Sequence, residues 1–417
     1  MARSHDMTSG SIWRSLLGFS IPIMISNLVQ STYNAVDMLF VGRFTGTESL
    51  AAVSVCGPIL NVMIITLSGM SAGVLVVISG LLGAGDIKQA QDAAHTSVAL
   101  YALMAAVMTV LGLLFVPQIL RLVQTPAAAM PEAKRYLYTV FAGTVFTFGY
   151  NLIGALQRGL GNAAASMSFV IISSAANIAL DAVFIVWLGM GAFGAALGTV
   201  LSQVAAFVIG TVQFARGGAA LRLSARAVRF HKKHLKNILL FGVPTALNEV
   251  MVNLAMLTVS GVANSFGLAS SAAYGVGSRI NSLAIFTDGA MNQTMSAYAS
   301  QNIGAGRQKR ALEGLWKAII LSAGAALGTS LLVLGFASEF SACFDSDPAV
   351  IEQSAAFLRV TVWSYPLFAT VGPLIGFIRG TGNVEASLLV GVVAQLCCRV
   401  PASFLFSRWM GFPGVGV

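Results

Sequence analysis

Four carboxylates stand in stretches that are otherwise apolar: Asp37, Asp181, Glu249 and Asp288. Each costs about 2.5–3.5 kcal/mol at the centre of a membrane helix, so it is expected to face water, a ligand or a partner. Spacing gives each one polar company. Asn27, Gln30, Asn34 and Asp37 are separated by three, four and three residues, which on a helical period makes one polar stripe. Ser173, Asn177 and Asp181 repeat at four; Glu249, Asn253 and Ser260 share a face, and Asp288 and Asn292 are one turn apart. Counted from the nearest polar breaks at 1.5 Å per residue, Asp37, Asp181, Thr199 and Tyr138 fall roughly 9–12 Å below the outer ends of their helices and are expected in one layer. Two buried like charges without an obvious Lys or Arg partner can take up and release a cation, H+ or Na+. The competing reading makes each carboxylate a structural group satisfied by nearby Asn, Thr or Tyr. For Glu249 and Asp288, a buried ion pair with Arg399 is the structural alternative. Arg279 and Arg359 also lie within apolar segments.

Other chemistries are excluded. GMSAG (69–73) fits the G-x-S-x-G pattern of serine hydrolases, which needs a strand-to-helix elbow and a histidine base. Ser71 instead lies inside a long apolar run, and His5, His95, His231 and His234 all lie at or beyond such runs. Gly69 and Gly73 therefore read as a small-x-x-x-small packing face. No Gly-Lys pair occurs anywhere, which removes a phosphate-binding loop. Cys56, Cys343, Cys397 and Cys398 have no disulfide or zinc-like spacing. No catalytic residue, cofactor or metal is expected, beyond Na+ at Asp37 and Asp181.

The elements that must hold these residues follow from composition. Of 417 residues, 56 % are hydrophobic and 9 % charged, with a mean hydropathy of +0.81. A soluble domain carries about a quarter charged residues, so this is an all-α polytopic membrane protein in contact with the lipid bilayer. Apolar runs predict eleven spans, near 14–40, 50–82, 93–116, 133–157, 164–188, 191–215, 237–263, 271–300, 316–337, 349–378 and 386–407. The first is too long for a signal-peptide core; in the leading MARSHDM, Met7 is an alternative start. Seven Lys and Arg and no acid occupy 216–236, which marks that segment, and with it the N-terminus six spans earlier, as cytoplasmic. Lys88, Arg158, Arg307, Lys309, Arg310, Lys317 and Arg379 fall in the other predicted inner loops. The net charge of +9 thus belongs to membrane topology and not to nucleic acid.

An internal repeat organises the spans. FSIP (19–22) recurs as FGVP (241–244), GAG (83–85) as GAG (304–306), and LIGALQRGLGN (152–162) as LIGFIRGTGN (374–383), all in one register to within a single position. Two bundles of six spans are expected, residues 1–222 and 237–417, joined by a basic linker at 223–236. Asn27 and Glu249 are repeat equivalents. Because six is even, the bundles are parallel, as in transporters that alternate access between halves.

The blocks P-x14-D ending in VDMLFVGR (36–43), SQNIGAG (300–306) and the doubled RG-x-GN segments resemble the multidrug and toxic compound extrusion (MATE) family, within the MOP flippase superfamily. The resemblance runs from about Leu16 to the C-terminus. It implies antiport of amphipathic, cationic drugs against H+ or Na+ by a monomer in a prokaryotic plasma membrane. It also implies a cation site of Asp37, Asp181, Asn177, Thr199 and Tyr138, with Asn151 as a looser match. Asn27, Gln30, Asn34, Glu249, Asn253, Asp288 and Asn292 are the expected cavity residues, and Pro22 matches the helix 1 proline at which bending is proposed in the family. The rival of the same superfamily is a flippase for lipid-linked oligosaccharides, whose pyrophosphate would want a cationic cavity. WMGFPGVGV (409–417) matches WLGMGAFGAAL (187–197), so a twelfth span is expected to begin there and run beyond the residues given.

Overall fold

The computed structural model describes residues 6–216, 221–284 and 286–409, and every regular element among them is helical. The first half comprises α1 (Ile12–Phe44), α2 (Thr47–Gly83), α3 (Ile87–Leu122), α4 (Met130–Gly159), α5 (Ala163–Asp181) and α6 (Gly191–Arg216). The second comprises α7 (Lys232–Asn264), α8 (Leu268–Ala284), α9 (Phe286–Gly304), α10 (Gln308–Ala342), α11 (Pro348–Thr361), α12 (Tyr365–Phe368), α13 (Val371–Gly380), α14 (Val384–Val392) and α15 (Val400–Trp409). Among the described residues, ten helical stretches are long and apolar enough to span a bilayer. Ten of the eleven expected spans correspond to these stretches, whereas the expected span 271–300 falls on α8 and α9, which are not among them. The segment expected to open a twelfth lies, after Trp409, outside the described residues.

The repeated sequence blocks are corners. Gly85 and Gly306 both have φ +72°, while Gly161 and Gly382 have φ +79° and +93°, a left-handed region that only glycine enters freely. Each follows a helix end and lets the chain turn back. At two corners the next residue starts the following helix: Asn162 Oδ1 accepts from Ala165 N–H at 3.0 Å and Asn383 Oδ1 from Ala386 N–H at 3.2 Å. After Gly85 the same task falls to Asp86, which accepts from Gln89 N–H at 2.9 Å. That bond holds the Asp86 carboxyl below the usual carboxylate range. After Gly306 the corresponding residue is Arg307, which makes no such cap.

The expected span 349–378 is interrupted between α11 and α13. Pro366 and Pro373 lack the N–H that a continuous helix would need there. The carbonyl of Val362, four residues before Pro366, accepts from Ser330 Oγ of α10 at 3.1 Å instead. By contrast, α1 runs through Pro22 without leaving helical geometry. Both α5 and α14 continue into π-helical turns, Ala182–Trp187 and Val393–Arg399.

The halves meet along α2. In lipid, helix association rests on close packing rather than on hiding apolar surface, which favours small residues at contacts. A Cβ on Gly69 would lie 2.6 Å from the Gly242 carbonyl and the Ala246 side chain of α7. A Cβ on Gly73 would run into the Ile238 carbonyl, one on Gly83 into Gln301 backbone and one on Gly304 into the Gly80 carbonyl. Ser71, between the first two glycines, shares a 3.0 Å hydrogen bond with Tyr101. All these contacts lie toward the end of the bundle that carries the basic loops. At the same end α1 leans on the second half, where Ile12, Leu16, Phe19 and Ile23 are buried in one cluster with Met295, Tyr298 and Leu315.

Candidate functional site

The α1 and α5 stripes converge. Asp181, the last α-helical residue of α5, is fully buried, and its carboxyl interacts electrostatically with that of the half-buried Asp37 on α1. Asn177, one turn earlier on α5, is 1 % exposed. Asp37 Oδ1, both Asp181 oxygens and both polar atoms of Asn177 are buried without a protein hydrogen-bond partner. Leaving such groups unpaired costs about 1–3 kcal/mol each, and more for charged ones. Four of the five are oxygens, one from Asp37, two from Asp181 and one from Asn177, and such hard donors suit a small cation or a proton taken up by a carboxyl. The π-helical turn begins directly after Asp181, a distortion that often marks functional positions in helices.

The expected layer is partly met. Thr199 is half-buried on α6. Its neighbour Gly198 touches the site most directly: a Cβ there would collide with Asp181 Oδ1. Tyr138, expected in the layer, is 39 % exposed, whereas Tyr136 is buried and interacts electrostatically with both Asp37 and Asp181. Two residues along a helix turn the side chain by about 200°, so only one of these tyrosines can face the carboxylates. Tyr136 therefore replaces Tyr138 in the site.

Beneath the carboxylates a narrow crevice of about 10 Å³, room for about one water molecule, opens between α1, α4, α5 and α6, lined by Gln30, Tyr33, Tyr150, Ser173, Asn177 and Gln203 among others. Gln30, Tyr33 and Tyr150 line it together, and Thr147 donates to Gln203 Oε1. Asn151, next in sequence to Tyr150 but not among the lining residues, donates to the Thr147 carbonyl at 2.8 Å. Of the other α1 stripe residues, Asn27 is half-buried and Asn34 exposed. Spacing does not single out Tyr33, Tyr150, Gln203 or Gly198. The three polar ones belong to spans whose polar residues are closely spaced, but glycine leaves no signal of its own.

The second half is built differently. Asp288 Oδ1 accepts from Gly372 N–H at 2.7 Å, and Asn292 Oδ1 accepts from Arg379 Nη1 at 3.1 Å. Both expected cavity residues are thus engaged in helix–helix contacts. Glu249 is half-buried and interacts electrostatically with Arg379, which is 6 % exposed. Arg399, the expected partner of Glu249 or Asp288, instead donates to Gln395 Oε1 one turn away at 3.3 Å. Arg379 and its repeat equivalent Arg158, expected in solvated inner loops, occupy last turns of helices and turn inward; Arg158 Nη1 donates to Ser166 Oγ at 3.0 Å. Their long stems let the guanidinium reach polar groups well away from the helix end. Asn253 donates to the Glu249 carbonyl at 2.8 Å and accepts from Asn61 of α2 at 3.5 Å, which joins the halves. Among the described residues no group of His, Cys, Asp and Glu could hold a metal by itself.

Two parallel-repeated helical halves around an interlobe seam, with unpaired carboxylates inside one of them, define a polytopic membrane protein of transporter architecture. The chain belongs to the MatE family, whose model matches twice, at 22–183 and 244–405. The two matches stand in the register of the sequence repeat, position 22 pairing with 244 and 183 with 405. The chain is 27 % identical to the probable multidrug resistance protein YpnP of Bacillus subtilis, over 100 % of its own length and 93 % of that protein. It is 22 % identical to the multidrug export protein MepA of Staphylococcus aureus, over 97 % and 89 %. Among solved structures it resembles an outward-facing MATE family transporter of the MOP superfamily, with TM-score 0.92, 25 % identity and coverage of 100 % and 93 %. A MATE protein in complex with MaD3S shares its fold, with TM-score 0.94 at 24 % identity, covering 100 % and 94 %.

Proposed function

We propose that this chain is a secondary active transporter that exports amphipathic, cationic organic compounds by antiport with H+ or Na+. The observation that carries the proposal is the Asp37–Asp181 pair, whose buried carboxylate oxygens, with the amide of Asn177 one turn from Asp181, are left without a protein partner beside a narrow crevice. With both carboxylates ionised, this region attracts a cationic compound; a coupling cation neutralises them and the compound leaves. Coupling needs only that the two are not held together. Carboxylate and amide oxygens suit either ion, and neither requires covalent chemistry, so the protein acts as a transporter and not an enzyme. The names of YpnP and MepA support multidrug substrates. A facing pair of acids disfavours the pyrophosphate of a lipid-linked oligosaccharide at this place.

The basic ends of the helices are assigned to the cytoplasm, with the N-terminus inside, in the plasma membrane of a prokaryote. Closure of the seam at that end then corresponds to an outward-facing state, and Pro22 supplies a point at which α1 can bend during the change. A monomer is proposed as the transporting unit. The test is dye efflux from vesicles under a proton or a sodium gradient, each applied alone. Wild-type protein is expected to respond to one of them, and Asp37→Asn to lose export while remaining folded. Undiminished export by Asp37→Asn would overturn the mechanism.

A further inference from the structure

Each half sends the segment before its first helix across the seam to the other half. The segment before α1 docks on the α9–α10 corner. Met7, 1 % exposed, donates its N–H to Gln301 Oε1 at 3.1 Å and accepts at its carbonyl from Asn302 Nδ2 at 3.2 Å and Arg310 Nη2 at 3.4 Å. Arg307 donates to the Thr8 carbonyl, and Arg310 Nη2 to the Ser9 carbonyl at 2.9 Å. The segment before α7 docks on α3 in the same manner. Arg222 donates its N–H to Gln91 Oε1 at 2.7 Å, and Lys233 Nζ donates to Gln89 Oε1 at 2.7 Å. Gln89 and Arg310 are repeat equivalents, in the register that pairs Lys88 with Lys309. The apolar side follows suit: Leu16 and Phe19 pack into the second half, while their equivalents Ile238 and Phe241 pack into the first.

The two docks differ in what holds them. The segment before α7 is held mainly by neutral side chains of α3: Gln91 both accepts from the Arg222 N–H and donates to the Arg222 carbonyl, and Thr96 donates to the Arg229 carbonyl. Met7, Thr8 and Ser9 are held by side chains that the first half lacks at the matching positions: Gln301, Asn302, Arg307 and Arg310 stand where the first half has Gly80, Leu81, Asp86 and Gln89. At this corner two arginines, Arg307 and Arg310, are aimed at backbone carbonyls of the opposite half, whereas at the other dock the neutral Gln91 and Thr96 donate to the Arg222 and Arg229 carbonyls.

We infer that residues 7–9 form a latch that holds the two halves closed at the basic end, and that this latch must leave the Gln301–Asn302–Arg307–Arg310 corner before the seam can open there. Separating α2 from α9 carries the corner away from the first half, and α1 is anchored to both. The latch rests on the alternating-access reading above, and the test separates the two.

In a cysteine-free background, spin labels at the exposed repeat equivalents Lys88 and Lys309 report the width of the seam by pulsed dipolar distance measurement. Met7→Asp is expected to raise the wide-separation population at least threefold over unmodified protein. Arg310→Gln, which restores the first half's residue, is expected to shift it in the same direction with less risk to folding. A distance distribution unchanged in folded Arg310→Gln protein overturns the latch, whatever the transport assay shows. A second arm joins Thr8→Cys to Arg307→Cys with a reducible bifunctional thiosulfonate. The bridged protein is expected to lose at least tenfold in efflux and regain it on reduction; bridged protein that exports at the unbridged rate also overturns the latch. If the unbridged pair exports nothing, the transport reading is at fault and the distance arm still decides.

Discussion

Asp288 Oδ1 accepts the backbone N–H of Gly372 at 2.7 Å, so a carboxylate with the spacing of a cavity residue closes the start of α13. The contact is tight, because a Cβ on Gly372 would collide with that same carboxylate. It lies where the interruption between α11 and α13 leaves N–H groups without helical partners. Capping bonds of this kind contribute about 0.5–2 kcal/mol. Asp288→Ala is therefore expected to lower the melting temperature of purified protein while leaving the ion dependence of efflux intact. Asp288→Asn, which keeps an accepting oxygen, should lose little of either. Abolished export by Asp288→Asn at an unchanged melting temperature would return Asp288 to the ion pathway.

Gly198 offers a test of the carboxylate pair that leaves every polar group in place. In Gly198→Ala the new methyl would collide with Asp181 Oδ1, and overpacking of this kind costs about 1–3 kcal/mol. The carboxyl must swing away from Asp37 to make room. Efflux is expected to fall at least tenfold while the protein still folds and inserts. Gly261→Ala is the control, since nothing lies within 4 Å of a Cβ there, and it should export at the wild-type rate. Equal rates for the two variants would mean that the position of Asp181 is not critical.

Spans, repeat and the α1 and α5 stripes are legible in the sequence because each rests on a period: hydropathy sustained across a bilayer's thickness, one constant displacement between the halves, and polar residues three or four apart. What escapes rests on direction in space. Depth along a helix gives height but not azimuth, which is why Tyr138 is expected where Tyr136 stands. Arg379 reads as a loop marker because it sits at a helix end, yet its stem carries the guanidinium inward to Asn292. The docking of Met7 on Gln301 joins opposite halves of the chain, and no local pattern announces it. The glycine corners are visible as repeated blocks, but their meaning as left-handed turns emerges only with the backbone.

Tyr136 and Tyr138 decide the register of α4 against the site. Tyr136 is buried and interacts electrostatically with Asp37 and Asp181, while Tyr138 is exposed. Removing the Tyr136 hydroxyl takes away one polar group beside the carboxylates and leaves the ring to fill its place. One hydrogen-bonding group is worth about 0.5–1.5 kcal/mol, so Tyr136→Phe is expected to weaken the apparent affinity for the coupling cation by about two- to tenfold. The maximal efflux rate should change less, because the carboxylates themselves remain. Tyr138→Phe should leave both quantities as in wild type, since its hydroxyl faces away from the pair. Titrating the coupling ion in vesicle efflux separates affinity from rate. The opposite pattern, with Tyr138→Phe impaired and Tyr136→Phe unaffected, would mean that α4 presents its other face to the carboxylates.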